Sequence, residues 1–362
     1  MNMRDTRINL AAVSIILVCI GIVMIYSTSA IYALENQGDS AYYLKRHLAY
    51  VFIGLICVFF AMKVDYHYFR KIAKPLLMAS AVLLVLLFVP GITRQVGGAR
   101  RWFRLGSLSF QPSELAKFAM VVYAADFLSR KKDVITSFLY GFLPILLVMG
   151  SVCLLIIVQP DLGTVLTITS ICFLMFFVAG VKLTHILSFV LGSLPLLYIL
   201  VFSVSYRRRR ILAFLDPWSD PQGTGFQIIQ SLVAVGSGGF TGLGLGHGRQ
   251  KLLYLPAAYT DFIFSIIGEE LGFIGTSAII MLVIFLLLQA TKISLKAKDS
   301  FGQLLSFGLI SCLMIEAIVN MGVAISIFPT KGLPFPFISY GGTSLVFNMI
   351  YVGLILNVGR AK

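Results

Sequence analysis

Ten long apolar runs, almost free of charge, decide what this chain can fold into. The clearest cover residues 10–32, 138–158, 165–180 and 274–290, near or above the roughly 20 residues a helix needs to cross a hydrocarbon core. A soluble domain carries roughly 25% charged residues, whereas this 362-residue chain has 12% and is 58% hydrophobic. The reading is an all-α integral membrane protein, one polytopic domain over residues 1–362. Its spans fall at about 10–32, 47–62, 75–90, 114–129, 136–158, 164–181, 183–204, 261–290, 302–327 and 340–358. Arg4 and Arg7 before the first run and Ser27-Thr28-Ser29-Ala30 after it have the look of a signal peptide. The run is longer than a signal core, which favours an uncleaved first span.

Charge sets the orientation. With the N-terminus inside, every inner loop is net positive, as in Arg70, Lys71 and Lys74 or Arg130, Lys131 and Lys132; basic loops mark the cytoplasmic side. Both termini then lie in the cytoplasm, and the reading is a multi-pass membrane protein. Yet the outer loops, 33–46, 91–113, 205–260 and 328–339, are basic too. They hold Arg94, Arg100, Arg101, Arg104, the run Arg207–Arg210, Arg249, Lys251 and Lys331. Cations placed against the topology signal call for an anionic partner, and the net charge of +14 suits lipid headgroups or an anionic lipid substrate. Nucleic acid is excluded because no soluble basic domain exists to carry it. The long segment 205–260 has an interfacial-helix pattern at 211–215 followed by Trp218, a helix-compatible stretch at 226–235, and a Gly-rich run at 236–248. That run lacks the Gly-Lys-Ser/Thr ending of a nucleotide loop. The five cysteines all sit in apolar runs without metal-ligand spacing, as small packing residues do.

Four polar constellations interrupt the apolar pattern. In the first, Arg100-Arg101-Trp102 precedes Gln111-Pro112-Ser113-Glu114 and Lys117. Ser113 fits an N-cap, and Glu114 and Lys117 stand i,i+3 on one helix face. A charged pair in a membrane helix points into the bundle, either as a structural ion pair or with Lys117 and the nearby arginines holding a phosphate. In the second, Asp161 in Gln159-Pro160-Asp161-Leu162-Gly163-Thr164 reads as a helix cap that could also frame a site. In the third, Asp261 lies where the polar loop meets apolar helix. Desolvation there raises its pKa and nearby cations lower it, which suits a general base; the plainer reading is another cap. Glu269 and Glu270, deeper in the span, are read as structural. The fourth, 330–344, contains Lys331, Ser339, Gly341-Gly342 and Ser344. Lys331 could again meet an anion, and the glycines permit close helix packing. The run Arg207–Arg210 has a plain reading too, anchoring the loop on anionic headgroups.

Taken together and in this order, several stretches resemble the shape, elongation, division and sporulation (SEDS) family of bacteria, whose members include FtsW, RodA and SpoVE. They are Gly98-Ala99-Arg100-Arg101-Trp102, residues 111–117, 159–164, Asp216-Pro217-Trp218, 244–264 and 333–344. Thr330-Lys331-Gly332 is more similar to the division branch than to the elongation branch. The resemblance implies ten transmembrane helices and a peptidoglycan glycosyltransferase polymerising lipid II at the outer membrane face during septal wall synthesis. It also implies a class B penicillin-binding protein as partner. The family's proposed catalytic aspartate falls on Asp261, although Ala257 stands where Glu is usual and Tyr259 where His is usual. Residue 248 is Gly where Ser is common, and Thr343 replaces a frequent Ser.

The chemistry so implied needs a base for the acceptor hydroxyl and cations for the departing diphosphate. Asp261 is assigned as base. Lys117, Arg101, Arg249, Lys251 and Lys331 are clamp candidates, with Glu114, Asp161, Ser339 and Ser344 framing the substrate. No sequence feature demands a metal, though Mg2+ or Mn2+ could share the clamp through carboxylate and substrate oxygens. Two other readings stay open: a flippase for the lipid-linked precursor, which predicts a charged path into the cytoplasmic half, and a noncatalytic scaffold. An elongation-type polymerase is the remaining alternative within the family.

Overall fold

The computed structural model describes residues 2–89, 93–96, 99–106, 108–252 and 254–360, and only the backbone of 94–96, 99, 100 and 105. Gly98 and Lys362, and the side chains of Arg94 and Arg100, lie outside the described set. Twelve α-helices of the described chain run α1 (Met3–Gln37), α2 (Tyr42–Lys63), α3 (His67–Leu86), α4 (Pro112–Arg130), α5 (Leu143–Ile157, extended by a π-turn over Phe138–Phe142) and α6 (Leu162–Ala179). They continue with α7 (Leu183–Phe202), α8 (Ser205–Leu215), α9 (Phe226–Ser237), α10 (Ile263–Leu295), α11 (Ser300–Ala324) and α12 (Gly342–Val358). Each apolar run lies on one of these helices. Seven are long and apolar enough to cross a membrane. The chain is a multi-pass membrane protein.

The bundle has an inside and a lipid-like outside. Helices α4, α11 and α12 are buried on nearly every face, as helices at the centre of a bundle are. Helix α7 buries only Ile186 and turns Leu191, Leu194, Leu196 and Tyr198 outward. Helix α2 packs on α12, α1 on α10, and α3 on α4. Gly21 of α1 makes one such approach possible: a Cβ there would sit 2.4 Å from the Phe337 carbonyl.

Several expectations need correction. The fold is not purely helical, because the chain before α4 forms an antiparallel sheet of β1 (Thr93–Val96), β2 (Ala99–Leu105) and β3 (Leu108–Phe110) in the order β1-β2-β3. Helix α3 starts at His67, so Arg70, Lys71 and Lys74 ride on the helix rather than in a loop. Gln111, not Ser113, precedes the first turn of α4, and Pro112 occupies its first turn, where its missing N–H costs nothing. Segment 205–260 carries two helices, and the rest is turns and loop. The interfacial pattern is the end of α8, which includes the four arginines, and 226–235 lies in α9.

Helix α10 is broken. Gly272 has φ 64° and ψ −161°, a conformation only glycine takes readily. The Gly-rich run docks at the break and occupies freed backbone groups. Leu243 N–H donates to the Glu269 carbonyl and Gly244 N–H to that of Glu270, both at 3.0 Å, while Phe273 N–H donates to Gly239 at 3.0 Å. Non-helical backbone in a membrane protein persists where protein satisfies it in this way.

Candidate active site

Two loops meet at the C-terminal end of α11, and their hydrogen bonds hold Asp261 in place. Asn320 of α11 donates through Nδ2 to the Asp261 and Leu333 carbonyls, each at 2.9 Å. Ser339, 2% exposed, accepts the Phe335 N–H at 2.8 Å and donates to the Thr260 carbonyl at 2.6 Å. Tyr340 N–H donates to the Tyr259 carbonyl at 2.9 Å. Each loop holds a non-glycine residue in the left-handed region, Ala257 at φ 59° and Phe337 at φ 66°. Such conformations cost about 1–3 kcal/mol each and persist where the surroundings over-determine them. Ser339 is thus a stitch between the two loops.

Asp261 does not cap α10; Phe262 holds that position. Its carboxylate faces the backbone of Gly332, where a Cβ would lie 3.3 Å from Oδ2. Burial pushes its pKa up to about 6, against the opposing pull of the Arg210 guanidinium and the Thr260 side chain. Next to Gly332, burial depresses the Lys331 ammonium below its ordinary value, and the Asp161 carboxylate partly restores it. Asp161 caps α6, accepting from Thr164 N–H at 3.2 Å and from the Thr164 hydroxyl at 2.9 Å.

Arginines complete the rim through backbone contacts. Arg101 Nε donates to the Gln159 carbonyl at 3.0 Å, and its Nη2 reaches the Pro160 carbonyl. Arg210 Nη1 donates to the Thr330 carbonyl at 3.1 Å. None of Arg101, Arg210, Arg249 and Lys331 forms an ion pair with a carboxylate of the described residues. Of these, Arg210 stands beside Asp261, Lys331 beside Asp161, and Arg101 at the turn that precedes Asp161. The Arg249 side chain is exposed, and its backbone N–H donates to Glu269 Oε1 at 2.6 Å.

Two other assigned lysines are differently placed. Lys117, 1% exposed, pairs with Glu114 at 2.8 Å and with Glu316 of α11. Asn348 donates to Glu316 Oε2 at 3.3 Å and to the Ser344 hydroxyl at 3.4 Å, so Ser344 belongs to this buried group. Of the two readings of the Glu114–Lys117 pair, the ion pair is what the geometry contains. Lys251 pairs with Glu270 and donates to the Ser27 hydroxyl at 2.9 Å, which gives Glu270 the structural role expected of it. Glu269 accepts from the backbone of Arg249 and Gln250.

Three contributors escaped sequence reasoning. Glu316 carried its own signal, a lone acid inside an apolar run, which in a membrane demands a partner. Arg210 was grouped with its neighbours as a headgroup anchor. Asn320 gave no signal. Metal ligands are sparse: no group of three or more His, Cys, Asp or Glu comes together among the described residues. Asp261 and Asp161 alone do not build a metal site, and Mg2+ or Mn2+ there would take most of its oxygens from substrate and water.

The chain matches related proteins along nearly its whole length. The FtsW/RodA/SpoVE family model, described as cell cycle protein, matches residues 7–362. A relative from Geobacter sp. (strain M18), named probable peptidoglycan glycosyltransferase FtsW, is 47% identical over 95% of this chain and 94% of its own. The stage V sporulation protein E of Bacillus subtilis (strain 168) is 45% identical over 97% of this chain and 96% of its own. Among solved structures, a chain reported in a study of how a peptidoglycan synthase complex coordinates polymerization and crosslinking superposes with a TM-score of 0.80. It is 32% identical, covering 97% of this chain and 96% of that one. On sequence and fold together, the chain belongs to the FtsW/RodA/SpoVE family of cell cycle proteins.

Proposed function

We propose that this chain is a peptidoglycan glycosyltransferase of the division type, which polymerises lipid II at the outer face of the cytoplasmic membrane. The observation that carries the reading is the juxtaposition of one partly buried carboxylate, Asp261, with cations that form no ion pair among the described residues. The names of its relatives supply the reaction class. Glycosyl transfer from a lipid diphosphate needs two things at once. The acceptor 4-hydroxyl must lose a proton as its oxygen attacks the anomeric carbon, and the diphosphate must leave carrying that bond's electrons. Asp261 takes the proton, a role for which a pKa near the working pH is suited. Lys331, Arg101, Arg210 and Arg249 face the developing charge, and preorganised cations in a dry site commonly contribute more to such catalysis than any other single effect. A single inverting displacement suffices, with no glycosyl–enzyme intermediate. Lys117, Glu114 and Ser344 hold the bundle beneath the site, and Lys251 holds the Gly-rich loop.

In this reading ten helices cross the membrane: α1–α7, with the π-turn extending α5, and α10–α12. Both termini are cytoplasmic, and α8 and α9 lie outside. Helix α4 needs no lipid-compatible surface despite its charges, because its neighbours cover it. A class B penicillin-binding protein receives the strands for crosslinking, as the synthase-complex likeness suggests, and the lipid tail lies along the apolar outer surface. Asp261→Asn tests the assignment. Purified in detergent and supplied with lipid II, the variant should melt like the parent while strand synthesis falls about 10²–10⁴-fold. Retained synthesis would remove Asp261 from the base role. A parent protein that moves lipid II across vesicles without making strands would point to a flippase.

A further inference from the structure

The end of α4 remote from Lys117 carries a charged assembly that glycosyl transfer does not use. Thirteen residues of helix separate Lys117 from Arg130, roughly 20 Å along the axis. Asp126 is buried there, 4% exposed, and grips two guanidinium groups from different helices. Arg130 donates through Nε at 2.9 Å and Nη2 at 2.5 Å, and Arg70 of α3 through Nε at 3.3 Å. With Lys71 and Lys74 these residues line a cavity of about 320 Å³. Two guanidinium groups therefore share the Asp126 carboxylate, with two lysine side chains beside them.

Of the other acids near this end, Asp65 lies close enough to Lys71 to feel its charge, although its hydrogen bonds go to His67. Asp65 accepts the His67 N–H at 2.9 Å and a ring nitrogen at 2.7 Å. Asp299 accepts the Tyr66 hydroxyl and the other His67 ring nitrogen, both at 3.0 Å. Both η nitrogens of Arg70 and Nη1 of Arg130 have no acceptor among the described residues.

Two features separate this arrangement from the ordinary excess of basic residues at a membrane's inner face. That excess needs only charge near the helix ends, whereas here a buried carboxylate orients two planar forks from separate helices toward one cavity. The cations also sit on the unfavourable end of α3. Arg70 and Lys71 lie in its first two turns and Lys74 at the start of the third, while Asp65, two residues before the helix, accepts its first N–H. The helix dipole is positive there and stabilises anions, not cations. A bound anion reverses that cost, since dipole, guanidinium forks and ammonium groups then all act in its favour. Paired N–H donors of arginine match phosphate geometry in particular.

We propose that the cavity between α3 and α4 is a phosphate-binding site, filled by the phosphate of an anionic lipid headgroup or by a free phosphate group. The test uses the full chain purified in detergent and the double variant Lys71→Gln/Lys74→Gln, which leaves the Asp126 pairs intact. Native mass spectrometry with added phosphatidylglycerol or phosphatidylcholine reads the lipid source, and the melting shift on adding inorganic phosphate reads the free source. For a lipid, the parent should retain phosphatidylglycerol over phosphatidylcholine. The double variant should bind it roughly 30-fold more weakly, at about 1 kcal/mol per lysine. For a free anion, inorganic phosphate should raise the melting temperature of the parent and not of the variant. A variant that melts like the parent and matches it in both measurements overturns the proposal.

Discussion

Lys117 and Lys331 are both withdrawn from water on the same bundle, yet they do opposite things. Lys117 is enclosed by Glu114 and Glu316, one ammonium between two carboxylates. Lys331 forms no ion pair among the described residues, and the depressed affinity of its ammonium for a proton reports burial that Asp161 only partly offsets. The Lys117 ammonium is fully paired within the protein, whereas in the proposed function the Lys331 ammonium finds its partner in the substrate. An intramembrane charge is thus a poor pointer to a substrate until its partners are known. A buried ion pair holds an arrangement, while a partly buried, uncompensated cation near an aspartate is built to receive an anion.

Three experiments would break or sharpen that contrast. The largest effect should come from opening the closed triad. Lys117→Met leaves two buried carboxylates facing each other, and loss of one partner from such a group costs about 3–5 kcal/mol. Folded yield and melting temperature should drop sharply. Neutralising all three positions as Lys117→Met/Glu114→Gln/Glu316→Gln should restore much of the stability and, with it, strand synthesis. A stable but inactive triple variant would show that Lys117 meets the substrate after all.

Lys331→Gln should act in the reverse manner, sparing the fold and lowering turnover of lipid II by about 10²-fold, as removal of one charge-stabilising donor does. Equal melting with unchanged turnover would move the diphosphate away from this rim. The smallest and most diagnostic effect is in pH. Asp261 accepts a proton only when ionised and its pKa is raised to about 6, so turnover should be level above that value. Below it, turnover should fall about tenfold per unit. Arg210 favours the ionised form, so Arg210→Gln should shift the midpoint upward; a midpoint that stays or falls would separate Arg210 from the carboxylate.

Legibility in the sequence followed the range of the forces. The apolar runs became helices because hydropathy and length are local properties, and the Asp161 cap and the Glu114–Lys117 pair were visible because their partners lie within one turn. What escaped was set by distant chain. Glu316 meets Lys117 across 199 residues, and Arg210 reaches Thr330 across 120. The strands of the outer sheet are short and rich in arginine, so their pattern reads as loop until pairing supplies the order. Gly272 resembles any helical glycine in sequence; only the docking of the 239–244 backbone shows that the helix must give way there.

That break has a mechanical consequence. The nine residues 263–271 lie between Asp261 and a glycine pivot, and main-chain bonds from the Gly-rich run grip both sides of the pivot. Residues 263–270 are all buried, so the pivot lets the long remainder of α10 take its own direction while the short segment stays seated beside Asp261.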